Sequence, residues 1–147
     1  MKRSVKILCC LLVGVLLLVG MTGCENSIGF EEGKTYTTNF FELIHQEKYN
    51  DAAMLFHESA ATTGTDLQAY FEALERQLLL DFSDPHVILG FQSMSTNVST
   101  DGGTCALTCK MEFGINVVNA EMELLRNEAG FGITNFRIAL VEDRFDS

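Results

Sequence analysis

Thr104-Cys105-Ala106-Leu107-Thr108-Cys109-Lys110-Met111-Glu112-Phe113 alternates along its whole length between two sets of side chains. Successive side chains of a strand point to opposite faces. Cys105, Leu107, Cys109, Met111 and Phe113 therefore share one face, and Thr104, Ala106, Thr108, Lys110 and Glu112 the other. This is the pattern of an antiparallel strand with one face buried and one wet. The flanking sequence obeys the same period. Asp101-Gly102-Gly103 is a hairpin signal, and His86–Val98 before it is strand-like. On the other side, Asn116–Asn127 sets Val118, Ala120, Met122 and Leu124 against Asn119, Glu121 and Glu123. Glu128-Ala129-Gly130 then turns the chain into Phe131–Val141, whose inner face holds Phe136, Ile138 and Leu140. Ile133 is out of phase with that set, which predicts a bulge or a two-sided position.

Ahead of Pro85 the period is helical. Leu67, Tyr70, Phe71, Leu74 and Leu78 form one stripe, with Thr65 as the expected cap, Asp66 behind it and Asp81–Pro85 as the stop. A short helix with Ala52, Ala53 and Phe56 is expected to start at Asn50 as its N-cap, followed by Asp51. Tyr36, Phe40, Leu43 and Ile44 make a further stripe from Lys34 onward. Helices followed by meandering strands predict an α+β domain over residues 34–147. Three N-terminal helices should pack on a curled four-stranded antiparallel sheet, which twists around the longest helix.

The N-terminus has another character. Lys2, Arg3 and Lys6 precede the uncharged, Leu- and Val-rich stretch Ile7–Met21, which closes on Thr22-Gly23-Cys24. This is the layout of a secretory signal peptide, and it is short for a membrane-spanning helix. Met21-Thr22-Gly23-Cys24 resembles the lipobox of bacterial lipoproteins, although that family prefers Leu where Met21 stands. The resemblance implies cleavage after residue 23 and diacylation of Cys24, with residues 24–33 as a lipidated tether. Two acyl chains supply the two signals that stable anchoring requires. The expected address is the extracytoplasmic face of the cell membrane, or the outer membrane or periplasmic side in a diderm cell. An uncleaved anchor with an incidental Cys24 is the alternative.

From Cys24 onward seven basic residues face twenty acidic ones, a net charge of −13. Nucleic acid is excluded as a partner, since its affinity comes from Lys and Arg on phosphate. Of five cysteines, Cys9 and Cys10 leave with the signal peptide and Cys24 is acylated, so Cys105 and Cys109 remain. On one strand they lie about 13 Å apart at ~3.3 Å per residue, beyond the roughly 7 Å reach of a disulfide and too far for one tetrahedral metal ion. Core packing is the expected role, against a redox one. Free thiols on an exported protein also suggest a disulfide-poor host.

Phe40-Phe41-Glu42-Leu43 through Lys48-Tyr49-Asn50-Asp51-Ala52-Ala53 resembles the opening helices of nuclear transport factor 2-like domains, cone-shaped α+β folds. Asn127-Glu128-Ala129-Gly130-Phe131-Gly132-Ile133 is similar to that family's last turn, with Phe131 in place of Trp and Gly132 in place of Lys. The likeness spans about residues 34–141. Enzymes of that superfamily place Asp, Tyr or His inside the cone, whereas the inward strand positions here are Cys, Met, Leu, Val and Ala. His45, His57 and His86 are scattered, with no metal-binding pair among them and no cofactor motif. His57 beside Glu58 is the best acid/base candidate, with Tyr70 second. Tyr70, Phe71, Cys105, Cys109, Met111 and Met122 would line an apolar cavity if the cone holds one; a filled core is the simpler expectation. Three functions follow: a lipid-anchored, non-catalytic domain binding a small apolar ligand, polymer or protein; a filled structural module, including a homodimer through the sheet face; or a cone-fold isomerase or hydrolase.

Overall fold

The computed structural model describes residues 26–141. Calls that fall on residues 1–25, including the signal peptide and Cys24, lie outside the described residues. Helix α1 (Phe30–His45) leads to a short α2 (Tyr49–Ala53), a 3-10 turn (Glu58–Ala60) and α3 (Gly64–Leu78). Four strands follow: β1 (His86–Ser99), β2 (Gly102–Phe113), β3 (Asn116–Asn127) and β4 (Gly130–Leu140). They pair antiparallel in the order β1-β2-β3-β4, an open meander. An isolated parallel bridge from Phe56 to Ile133 lays one further short segment along β4. The α+β expectation and the strand boundaries therefore hold to within a few residues. Among the described residues, no helix is long and apolar enough to cross a membrane.

Helix α1 begins four residues earlier than the Lys34 start expected from its stripe. Gly29 is its extended N-cap, and Glu31 and Glu32 sit where the helix dipole favours negative charge. Its buried stripe is Gly33, Thr37, Phe40, Phe41 and Ile44. A Cβ on Gly33 would stand 2.9 Å from Leu107 Cδ2 and 3.5 Å from Cys105 Sγ, so the helix crosses directly over β2. The Thr37 hydroxyl is satisfied inside this contact by donating to the Gly33 carbonyl at 2.9 Å.

The caps of the next helices differ from expectation. Asn50 lies within α2, whose flanking residue is Lys48 without a side-chain cap. The Asn50 side chain instead abuts Gly64, where a Cβ would overlap its Oδ1. Thr63, not Thr65, caps α3. Its Oγ1 accepts from the Asp66 amide at 3.2 Å, and Asp66 Oδ2 accepts from the Thr63 amide at 3.0 Å, a complete capping box.

In the sheet, every inward residue assigned to β2 and β3 is buried. Register shifts occur at Leu89 and Gln92 of β1 and at Thr134 of β4. The last is the irregularity that the phase of Ile133 required. An extra residue at Thr134 lets both Ile133 and Phe136 turn toward the helices, paired with Leu124 and Met122.

Candidate functional site

The face between helices and sheet is where a cone fold would keep a site, and six side chains were expected there. Cys105, Cys109, Met111, Met122 and Phe71 do come together, each at most 1% exposed. Around them runs a continuous set of rings. Phe71 stacks on Phe136 at 5.8 Å with 12° between the planes, and Phe40 meets Phe136 at 5.3 Å. Tyr70 is the exception, a rim residue 38% exposed that sets its edge against Phe136 at 4.9 Å. Burial raises its pKa, partly offset by a backbone hydrogen bond from Ile138 of the edge strand.

One end of this interior, between α3 and the end of β2, is closed by Phe82, a residue that periodicity does not mark as core. Phe82 is 1% exposed and lies edge-on to Phe71 at 4.9 Å and to Phe113 at 5.1 Å. The turn that delivers it is built from polar groups. Asp81 Oδ1 accepts from the Ser83 amide at 2.8 Å and its hydroxyl at 2.6 Å, and the Phe82 amide donates to Glu75 Oε1 at 2.9 Å. Turn chemistry hid this residue from a search for apolar stripes.

His57, the acid/base candidate, is buried, and both ring nitrogens are engaged. Nδ1 accepts from the Ser59 amide at 3.1 Å and lies 2.7 Å from Ser59 Oγ. Nε2 lies 2.9 Å from Asn127 Oδ1, an oxygen identified as such because it also accepts from the Ala129 amide at 3.0 Å. This network assigns the proton to Nε2. The neighbouring backbone is equally fixed: the His57 amide donates to the Ile133 carbonyl at 2.8 Å. Gly132 must be glycine there, since a Cβ would overlap the His57 amide nitrogen. His57 thus pins the loop after α2 to the β3–β4 hairpin. Glu58 is exposed in the 3-10 turn beside it.

The other two histidines meet where α1 ends and β1 begins. The His45 and His86 rings are 5.4 Å apart, edge to face, and His86 stacks on Phe113 at 5.4 Å. Burial lowers the His86 pKa, the His45 ring lowers it further, and Glu42 acts in the opposite direction. His45 Nδ1 is buried without a hydrogen-bond partner. Among the described residues, no group of three or more His, Cys, Asp or Glu side chains is placed to hold a metal ion.

Recesses among the described residues lie on surfaces. One, about 550 Å³, follows the exposed face of α1 from Glu31 to Glu42 and is lined by that helix. Two grooves of about 210 and 330 Å³ lie on the sheet, bordered by Ser95, Thr96, Thr104, Ala106, Glu121 and Glu123. Met122 and Cys105 border these grooves too, yet keep their side chains buried. Across the outer face, Ala106 pairs with Ser95 and Glu123, and Glu121 with Thr108 and Arg137. The result is a surface of short polar side chains and carboxylates that also carries Lys110, Arg137 and the exposed Val87. No protein-family model, curated protein or solved structure matches this chain.

Proposed function

We propose that this chain is a bacterial lipoprotein, anchored through Cys24 on the extracytoplasmic side of the membrane. Its single domain is of the nuclear transport factor 2-like cone type, and it acts by binding rather than by catalysis. The outer face of the sheet is the binding surface, and a polymer or a protein is the partner class. The observation that carries this reading is the division between the two sheet faces. The inner face is packed with Phe, Cys and Met side chains, with Phe82 across its end. The outer face keeps rows of Ser, Thr, Ala, Asn and Glu around two grooves. Short side chains of this kind adapt to hydrogen bonding with little loss of conformational entropy. The most plausible acid/base group, His57, is held by hydrogen bonds on both nitrogens, which suits a structural role.

A photo-crosslinking residue at Ala106 of the full-length protein, compared with one at Gln68 on α3, tests this reading in cells. A discrete adduct from position 106 and none from 68 supports it; an adduct of two chains identifies the partner as a second copy. A tightly held apolar molecule in native mass spectrometry, with no adduct from position 106, would overturn it.

A further inference from the structure

The residues that follow Cys24 almost at once are clamped to the domain. Only Glu25 stands between Cys24 and Asn26. Ile28 is 3% exposed. Arg126 Nη1 of β3 donates to the Ser27 carbonyl at 2.9 Å, and the same guanidinium pairs with Glu32 while lying 4.4 Å over the Phe131 ring. Gly103 of β2 lets the chain approach: a Cβ there would overlap the Asn26 carbonyl oxygen. Gly102 beside it packs in turn on Arg126 and Asn127. Asn26 and Ser27 are therefore seated between the β1–β2 and β3–β4 turns, which the meander places at the same end of the sheet.

A span of two residues reaches at most about 7 Å. We infer that the domain is held flush on the lipid bilayer in a fixed orientation, with the β1–β2 and β3–β4 turns apposed to the headgroups. This rests on the lipidation of Cys24 proposed above. The bilayer surface is the occupant because the acylated residue enters it and the clamp begins two residues further on, at Asn26. Electrostatic attraction contributes nothing, since Asp101 and Glu128 in these turns would be repelled by anionic lipid. The opposite end follows from strand length. From Gly103 to Phe113 the strand rises about 33 Å at ~3.3 Å per residue. The β2–β3 turn, with Ile115 97% exposed, points away from the membrane.

Single cysteines replacing Thr100, Glu128 and Ile115 in the full-length protein, each carrying a fluorophore, measure this directly. The buried core thiols do not compete for label. The protein is reconstituted into vesicles of phosphatidylethanolamine and phosphatidylglycerol containing a headgroup-linked energy acceptor. Positions 100 and 128 should be quenched several-fold more than position 115. Inserting twelve Gly and Ser residues between Glu25 and Asn26 should remove most of that difference without disturbing the fold. Equal quenching at all three positions, with the diacylglycerol on Cys24 confirmed by mass, overturns the orientation and leaves the anchor standing. An unmodified Cys24 and no vesicle association overturns both.

Discussion

Cys109 shows how far one side chain can be perturbed by its surroundings. It has no exposed surface, and burial pushes its thiol up to about 11 against a small opposing effect of a backbone hydrogen bond from Ala120. The ordinary value is 9.0. Below that pH both folded and unfolded chains keep the proton, so stability is unchanged. Between pH 9.0 and about 11 the unfolded chain loses a proton that the native chain retains, so stability falls as pH rises. At about 1.4 kcal/mol per unit the loss approaches roughly 3 kcal/mol. Urea unfolding at pH 8 and pH 10.5 should show a decline that is smaller in Cys109→Ala, and equal declines would refute the assignment. His86 works in the other direction. Its pKa is lowered by burial first and the His45 ring second, so the unfolded chain takes up a proton at higher pH than the native one. Stability is full above about pH 6.5 and falls as the solution is acidified below it. His86→Phe keeps the stack on Phe113 and should flatten that part of the profile; an unchanged acid limb would show that other groups set it.

Among the elements, α3 shows most clearly what local sequence can and cannot specify. Its apolar stripe was legible because Leu67, Phe71 and Leu74 recur at helical spacing, and all three are buried. Its start was misplaced by two residues because Thr63 and Thr65 are equivalent to a search for a hydroxyl before an acid. The reciprocal bond to Asp66 selects Thr63, three residues away, and Thr65 is too close to form it. Thr63→Ala should cost about 1 kcal/mol in thermal or urea unfolding, with Thr63→Ser close to wild type. A cost no larger than that of Thr65→Ala would argue against the capping box. Strands were easier to read, since a period of two survives a one-residue bulge as a visible change of phase, as at Ile133. The candidate site was read less well. His57 was singled out by its neighbour Glu58, yet its roles are set by Ser59 and by Asn127, 70 positions further on. No local pattern reports a partner so distant.

At the scale of the whole molecule, one short turn between the helical and sheet halves decides whether the interior is a core or a pocket. Asp81–Pro85 has the composition of a surface turn, and it inserts Phe82 between Phe71 of α3 and Phe113 of β2. Phe113 continues the contact to His86, and Phe71 to Phe40 and Phe136, so the aromatic rings link α1, α3, β1, β2 and β4. Removing the Phe82 ring deletes an aromatic bridge from α3 to the end of β2. Phe82→Ala should lower stability by about 3–5 kcal/mol. The space left is walled by the Phe71 and Phe113 rings, and apolar cavities stay dry and take up apolar guests. The variant should therefore gain a saturable site for benzene or xenon, seen as thermal stabilisation by the guest, while the wild-type domain shows none. Phe82→Leu, which refills most of the volume, should recover stability and lose the site. Equal stabilisation of wild type and Phe82→Ala by benzene would mean that the interior already holds a cavity, and an interior ligand-binding reading would then replace the surface-binding one.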